Sequence, residues 1–300
     1  MLLLKHILVA IDFSSISITA LRHALGIARR CHSTVSLLHV IDGSFYGTSG
    51  PDGIAVATEC ALRDGEDLFA QLKQEHTVDG LKLDFDARVG PVWETVLEVI
   101  REKDSALLVL GTHGRSGLGK LVLGSIAESA FREAPCPVLT VGPKVGPSKS
   151  RGAEAKHFLV PTDLSGESTN ALRYGISLAR ATGGDLTLLH VLDPHAEQKS
   201  NGPNVVAEVK RRLDAFVNEH PGAAAMVSSR VEFGLPARLI VKVAEEERSD
   251  LIVMGVRAWS IEGRPMWRTA YDIVIQAPCP VLSMRAPALS TDDASGGAGD

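Results

Sequence analysis

The chain repeats itself at the scale of a whole domain. Residues 6–42, HILVAIDFSSISITALRHALGIARRCHSTVSLLHVID, lie over residues 157–193, HFLVPTDLSGESTNALRYGISLARATGGDLTLLHVLD, without a gap, and 16 of the 37 positions are identical. Residues 90–111 align in the same way with residues 234–255, and APCPVL occurs at both 134–139 and 277–282. The offsets of 151, 144 and 143 residues far exceed the roughly 20–50-residue periods of solenoid repeats. Each copy is therefore a domain with its own core, and any fold assigned to one copy is assigned to both. A 300-residue chain is long enough for two such cores. The expected division is 1–143, a linker at 144–155 rich in Gly, Pro, Ser and Lys, 156–286, and a small-residue polar tail at 287–300.

Within one copy, apolar runs alternate with helical patterns. HILVAID is a short strand-like run ending in Asp12, and Ile16, Ala20, Leu21, Ala24, Ile27 and Ala28 then recur at helical spacing. Residues 34–41 read as a second strand, 42–53 as a loop followed by a helix to about His76, and 81–89 as a third strand. Pro91 suits the first turn of the next helix. Residues 106–111 form an uninterrupted apolar strand, 125–133 a helix, and 137–141 a last strand. Alternation with continuous apolar strands predicts an α/β fold, with two tandem doubly wound domains, each a five-stranded parallel sheet of Rossmann-like type. The expected strand order is 3-2-1-4-5. Strands one and four are then neighbours where the winding reverses, and ligands of open α/β sheets sit at that switch point. Asp12 and Gly111 converge there from about a hundred residues apart.

The stretch after strand four, GTHGRSGLGKLVLGS at 111–125, holds five glycines in fifteen residues. Bare backbone leading into a helix offers N–H groups and a positive helix terminus, both of which favour phosphate. Gly111 and Gly114 would let the loop fold tightly against a ligand. Gly124 and Ser125 would open the helix, with Ser125 as cap. Arg115 and Lys120 could reach phosphate oxygens. Two phosphate fingerprints fail. A P-loop needs a hydroxyl residue where Leu121 stands and should follow strand one of its domain, and a G-x-G-x-x-G motif needs glycine at Val122. Glycine count alone is equally compatible with a surface loop.

The spacing Gly111-x2-Gly114-x9-Gly124-Ser125 resembles the G-2x-G-9x-G-(S/T) signature of ATP-binding universal stress proteins. HILVAID, LLHV and APCPVL are similar to that family as well, over residues 5–143 and 156–286. The resemblance implies ATP, with Mg²⁺ carried by the triphosphate, held between the strand-one carboxylate and the glycine loop. By position, Ala10, Asp12 and Val40 would lie toward adenine and ribose. Gly111, His113, Gly114, Arg115, Gly124, Ser125 and Ile126 would surround ribose and phosphates. It further implies a cytoplasmic stress-response protein that dimerises through the last strand and binds nucleotide with little turnover.

The second copy keeps the carboxylate as Asp163 and the strand-end glycine as Gly255, but Ala258 stands where Gly114 stood. The place of Gly124 and Ser125 falls near Trp267 to Thr269. A Cβ and an indole there would fill phosphate space, so only the first copy is expected to bind ATP. The alternative is a different ligand for the second loop, with Arg257, Arg264 and Arg268 as anion contacts. No G-x-S-x-G, H-E-x-x-H, S-G-G-x-D-S or H-x-G-H motif occurs. The reading is therefore a nucleotide sensor for an unknown protein partner. A slow ATPase or nucleotidyl-transfer enzyme and a ligand-free scaffold are the alternatives. No protein side-chain metal site is expected. Asp12 could cap a turn or accept a ribose hydroxyl, His39 and His190 repeat as packing groups, and Cys136 and Cys279 read as small buried residues at strand entrances. The net charge of −5 gives no reason to expect nucleic acid. No apolar run approaches the ~20 residues that span a bilayer. MLLLKHILVAID reads as a first strand and not as a signal peptide. Proline at the entrance of each last strand suits an edge. The two edges could pair as an internal pseudo-dimer, with a homodimer of chains above it.

Overall fold

The computed structural model describes residues 4–46, 50–75, 78–112, 124–146, 155–192, 204–256 and 267–285. The expected linker falls largely, and the tail wholly, outside these residues. The first repeat runs β1 (His6–Ala10), α1 (Ser15–Cys31), β2 (Thr34–Ile41), α2 (Gly50–Gln74), β3 (Lys82–Val89), α3 (Val92–Glu102), β4 (Leu107–Gly111), α4 (Ser125–Glu133) and β5 (Val138–Val141). The second runs β6 (His157–Thr162), α5 (Gly166–Thr182), β7 (Asp185–Leu192), α6 (Asn204–Asn218), β8 (Val227–Phe233), α7 (Pro236–Glu246), β9 (Leu251–Gly255), α8 (Trp267–Gln276) and β10 (Val281–Met284).

Strand order is β3-β2-β1-β4-β5-β10-β9-β6-β7-β8 in one ten-stranded sheet. Each repeat thus has the expected 3-2-1-4-5 order, with parallel pairing inside the repeat. The two last strands meet antiparallel, with Val281 opposite Thr140, Leu282 opposite Leu139 and Ser283 opposite Val138. The pseudo-dimer expected from the prolines is therefore formed within the chain. β5 and β10 are consequently not sheet edges but its middle, and the proline before each strand sits where no ladder bond is lost.

Local chemistry explains the elements. Ser14 caps α1 by accepting the Ser17 N–H at 3.2 Å, and His32 ends it in the left-handed region at φ 53°. Ser165 and Gly183 do the same for α5. The face of α1 that turns inward buries Ala20, Leu21, Ala24, Leu25 and Ala28, with Ile16 and Ile27 only partly covered. Two expectations shift. The stretch read as a loop at 42–53 contains a 3₁₀ turn (Gly43–Tyr46) and the start of α2, and Pro91 is the residue before α3, not its first turn.

Two apolar layers cover the sheet. One combines α1, α2, α5 and α6 with Ile7, Val9, Leu139 and Leu282; the other combines α3, α4, α7 and α8 with Leu8, Leu108, Val138 and Val281. Both cross from one repeat to the other. Gly142 lies at this crossing, where an added Cβ would sit 2.2 Å from the Val274 carbonyl oxygen of α8. The Arg285 guanidinium also donates to the Arg132 carbonyl across it.

Candidate functional site

The carboxyl ends of β1 and β4 meet as the topology requires. β1 leads through Ile11 and Asp12 into a tight turn in which Phe13 adopts φ 61°. A bulky residue in that region is strained. Asp12 stabilises the turn. Its Oδ1 accepts the Ser14 N–H at 3.0 Å and the Ser14 hydroxyl at 2.6 Å. Its Oδ2 is buried and has no hydrogen-bond partner among the described residues. A carboxylate oxygen withdrawn from water costs free energy until a donor reaches it. From the next strand, His39 Nδ1 donates to the Ile11 carbonyl at 2.7 Å, which places that proton on Nδ1 and fixes the ring as a brace. His190 does the same to the Thr162 carbonyl at 2.8 Å, in keeping with a packing role for both histidines.

Gly111 closes β4, and its bareness has a packing cause that the sequence did not reveal. A Cβ there would lie 2.8 Å from Ile16 Cγ2 and 3.2 Å from the Ser17 nitrogen, in the first turn of α1. Its repeat counterpart Gly255 meets the Glu167 backbone at 2.5 Å. The strand-end glycine is thus kept in both copies by the adjacent helix. Thr112 then receives the Gly124 N–H at 2.7 Å, so the two ends of the glycine-rich segment are joined. Ser125 is not the cap that the sequence suggested. Gly124 occupies the cap position, Ser125 is the first helical residue, and no side chain caps α4. The first N–H groups of this nine-residue helix are therefore left for other acceptors. Ala10, Val40 and Ile126 are half-buried together at the rim of the second apolar layer. His113, Gly114 and Arg115 lie outside the described residues.

The second repeat shows the outline of the same crevice. A cavity of about 210 Å³ is lined by Pro161, Asp163, Val191, Gly255 and Thr269, together with Pro236, Ile240 and Met254. The first five are the repeat counterparts of Ala10, Asp12, Val40, Gly111 and Ile126. Asp163 is wired differently from Asp12. Its Oδ1 accepts the Ser168 hydroxyl at 2.5 Å and the Ser165 N–H at 3.0 Å. Leu164 repeats the left-handed turn at φ 62°. Glu167 lines this cavity where the first repeat has Ile16. The sequence reading assigned no cavity to this copy, although Asp163, Val191 and Gly255 were its legible signs. Among the described residues, no cluster of three or more His, Cys, Asp or Glu could hold a metal ion. Burial pushes the Cys136 thiol up to about 11, which keeps it protonated and unreactive at neutral pH.

The model of the universal stress protein family matches residues 4–142 and again 154–285. The chain belongs to the universal stress protein family. Its matching relatives each correspond to about one repeat. Universal stress protein MJ0531 of Methanocaldococcus jannaschii is 31% identical over 140 residues, covering 46% of this chain and 82% of the relative. Universal stress protein YxiE of Bacillus subtilis is 30% identical over 142 residues, covering 45% and 96%. A universal stress protein from Archaeoglobus fulgidus spans the tandem arrangement, with a TM-score of 0.70 at 21% identity over 94% of this chain and 96% of its own. That last likeness shows the shared fold. No helix among the described residues is long and apolar enough to cross a membrane.

Proposed function

We propose that the first repeat binds ATP at the carboxyl ends of β1 and β4, and that occupancy of this crevice, not turnover, is the signal the protein delivers. The observation that carries this reading is Asp12, pinned by Ser14 through one oxygen while the other stays buried without a donor. A ribose hydroxyl supplies the missing proton. Ala10 and Val40 flank the base and Ile126 the ribose. The uncapped start of α4 at Gly124 and Ser125, with His113, Gly114 and Arg115 from the intervening segment, faces the phosphates. Mg²⁺ enters through the triphosphate oxygens, with no protein side chains required.

The second repeat does not take ATP in this proposal, because Ala258 and the Trp267-Arg268 pair replace the glycines of the phosphate half. Without a general base or a water-positioning group in view, hydrolysis is slow, and the chain acts as a cytoplasmic stress-response regulator read by a protein partner. Since β5 and β10 are consumed within the chain, a homodimer of tandem chains uses other surfaces.

Titration calorimetry of the full chain with MgATP should give one site per chain. Asp12→Ala should weaken it about 10- to 100-fold, the value of a hydrogen bond to a charged group. Two sites per chain, or affinity unchanged in Asp12→Ala, would refute the reading. Steady turnover on the order of 10 per second would point to an enzyme instead.

A further inference from the structure

We infer that the second repeat carries a ligand site of its own, shaped for an unphosphorylated nucleoside. The cavity and its lining stand on their own; the nucleoside class rests on the reading of the first repeat given above.

The two crevices divide into halves that have fared differently. The half built from β6, β7 and the start of α5 is intact: the carboxylate at Asp163, the left-handed residue after it at Leu164, the serine cap at Ser165 and the histidine brace at His190 all persist. A strained non-glycine turn held in both copies marks a site and not merely a linker. The half that would receive phosphates has lost its glycines in sequence, at Ala258 and at Trp267. In addition, Glu167 brings a carboxylate into the lining, which disfavours an anionic tail by like-charge repulsion.

Size and chemistry agree. About 210 Å³ holds on the order of seven waters at ~30 Å³ each. It falls below the roughly 300–1,000 Å³ of sites for drug-sized ligands. Val191, Ile240 and Met254 supply apolar walls for a flat heterocycle, and Asp163 is an acceptor at one end. Thr269 adds a hydroxyl where the first repeat has Ile126. An apolar slot with a few polar groups fixing orientation is the usual make-up of a small-molecule site.

Met254 provides a direct reporter. In the full chain carrying Asp12→Ala and ¹³C-methyl methionine, adenosine should shift the Met254 methyl signal saturably, with a Kd of about 1 mM or tighter. The signal is assigned by Met254→Leu, and the Met226 signal serves as a remote control. ATP at equal concentration should leave Met254 unmoved. Asp163→Ala should weaken adenosine at least tenfold. Val191→Trp, which fills the slot without touching the turn, should abolish the shift while Met226 keeps its folded position. Absence of a saturable shift up to about 5 mM adenosine, an equal response to ATP, or indifference to both Asp163→Ala and Val191→Trp would overturn the inference. Calorimetry of the unsubstituted chain with MgATP reports separately on the first repeat, so either reading can fail while the other holds.

Discussion

At the scale of single residues, the buried polar groups divide into those that serve a turn and those that await a partner. Asp12 does both. His23, on the buried face of α1, does neither. Its Nε2 has no hydrogen-bond partner among the described residues, and burial lowers its pKa from 6.5 to about 4. The folded chain thus binds a proton at this ring more weakly than the unfolded chain does. The stability involved is complete above pH 6.5 and is lost as pH falls toward 4, amounting to about 3 kcal/mol. His6 adds in the same direction, through burial first and the nearby Lys103 charge second, opposed by Asp84. Urea unfolding between pH 7 and 4 should show the decline, and His23→Phe should flatten it. Phenylalanine fits because the repeat counterpart of His23 is Tyr174. A decline of equal size in His23→Phe would assign it elsewhere. None of this could be read from the sequence, where His23 is one polar residue among apolar neighbours, and only the packed helix shows that no partner reaches it.

At the scale of elements, caps and close approaches fix where helices start. Ser14 is both the cap of α1 and the donor that holds Asp12. Ser14→Ala should cost about 1 kcal/mol of stability and should also weaken ATP, whereas the matching Ser165→Ala should cost similar stability and leave ATP unchanged. Thermal unfolding and calorimetry on the same samples separate the two effects. The periodicity of α1, the alternating strand-helix order and the start of α4 at Ser125 were all legible, because they depend on neighbours within a few residues. The reason for Gly111 was not. It lies against Ile16 on a different element, some ninety-five positions away in sequence. The same holds for the orphaned oxygen of Asp12: sequence places a carboxylate at a strand end but does not say which of its oxygens the turn consumes.

At the scale of the whole molecule, the seam makes one body of two repeats. Leu139 and Leu282 face each other across it and are each about 2–3% exposed, and both apolar layers pass through. Denaturation should therefore follow a single transition. Leu139→Asp, which buries an unpaired charge at the join, should lower stability by more than about 3 kcal/mol and split the transition in two. Gly142→Ala, whose Cβ would meet the Val274 carbonyl oxygen at 2.2 Å, should act at the same place and cost about 1–3 kcal/mol. Calorimetric scans of the three proteins decide the matter, and a split transition in the unsubstituted chain would disprove the shared core. By itself the sequence determined the repeat, the doubly wound order in each copy and the strand ends that approach the crevice, because hydrophobic periodicity and right-handed crossovers leave few topologies open. Only the tertiary structure decided that β5 and β10 join in register, that Gly111 answers to α1, and that the second copy encloses a cavity. Those outcomes turn on a few tenths of an ångström between atoms distant in the chain, a quantity that no pattern of residue types encodes.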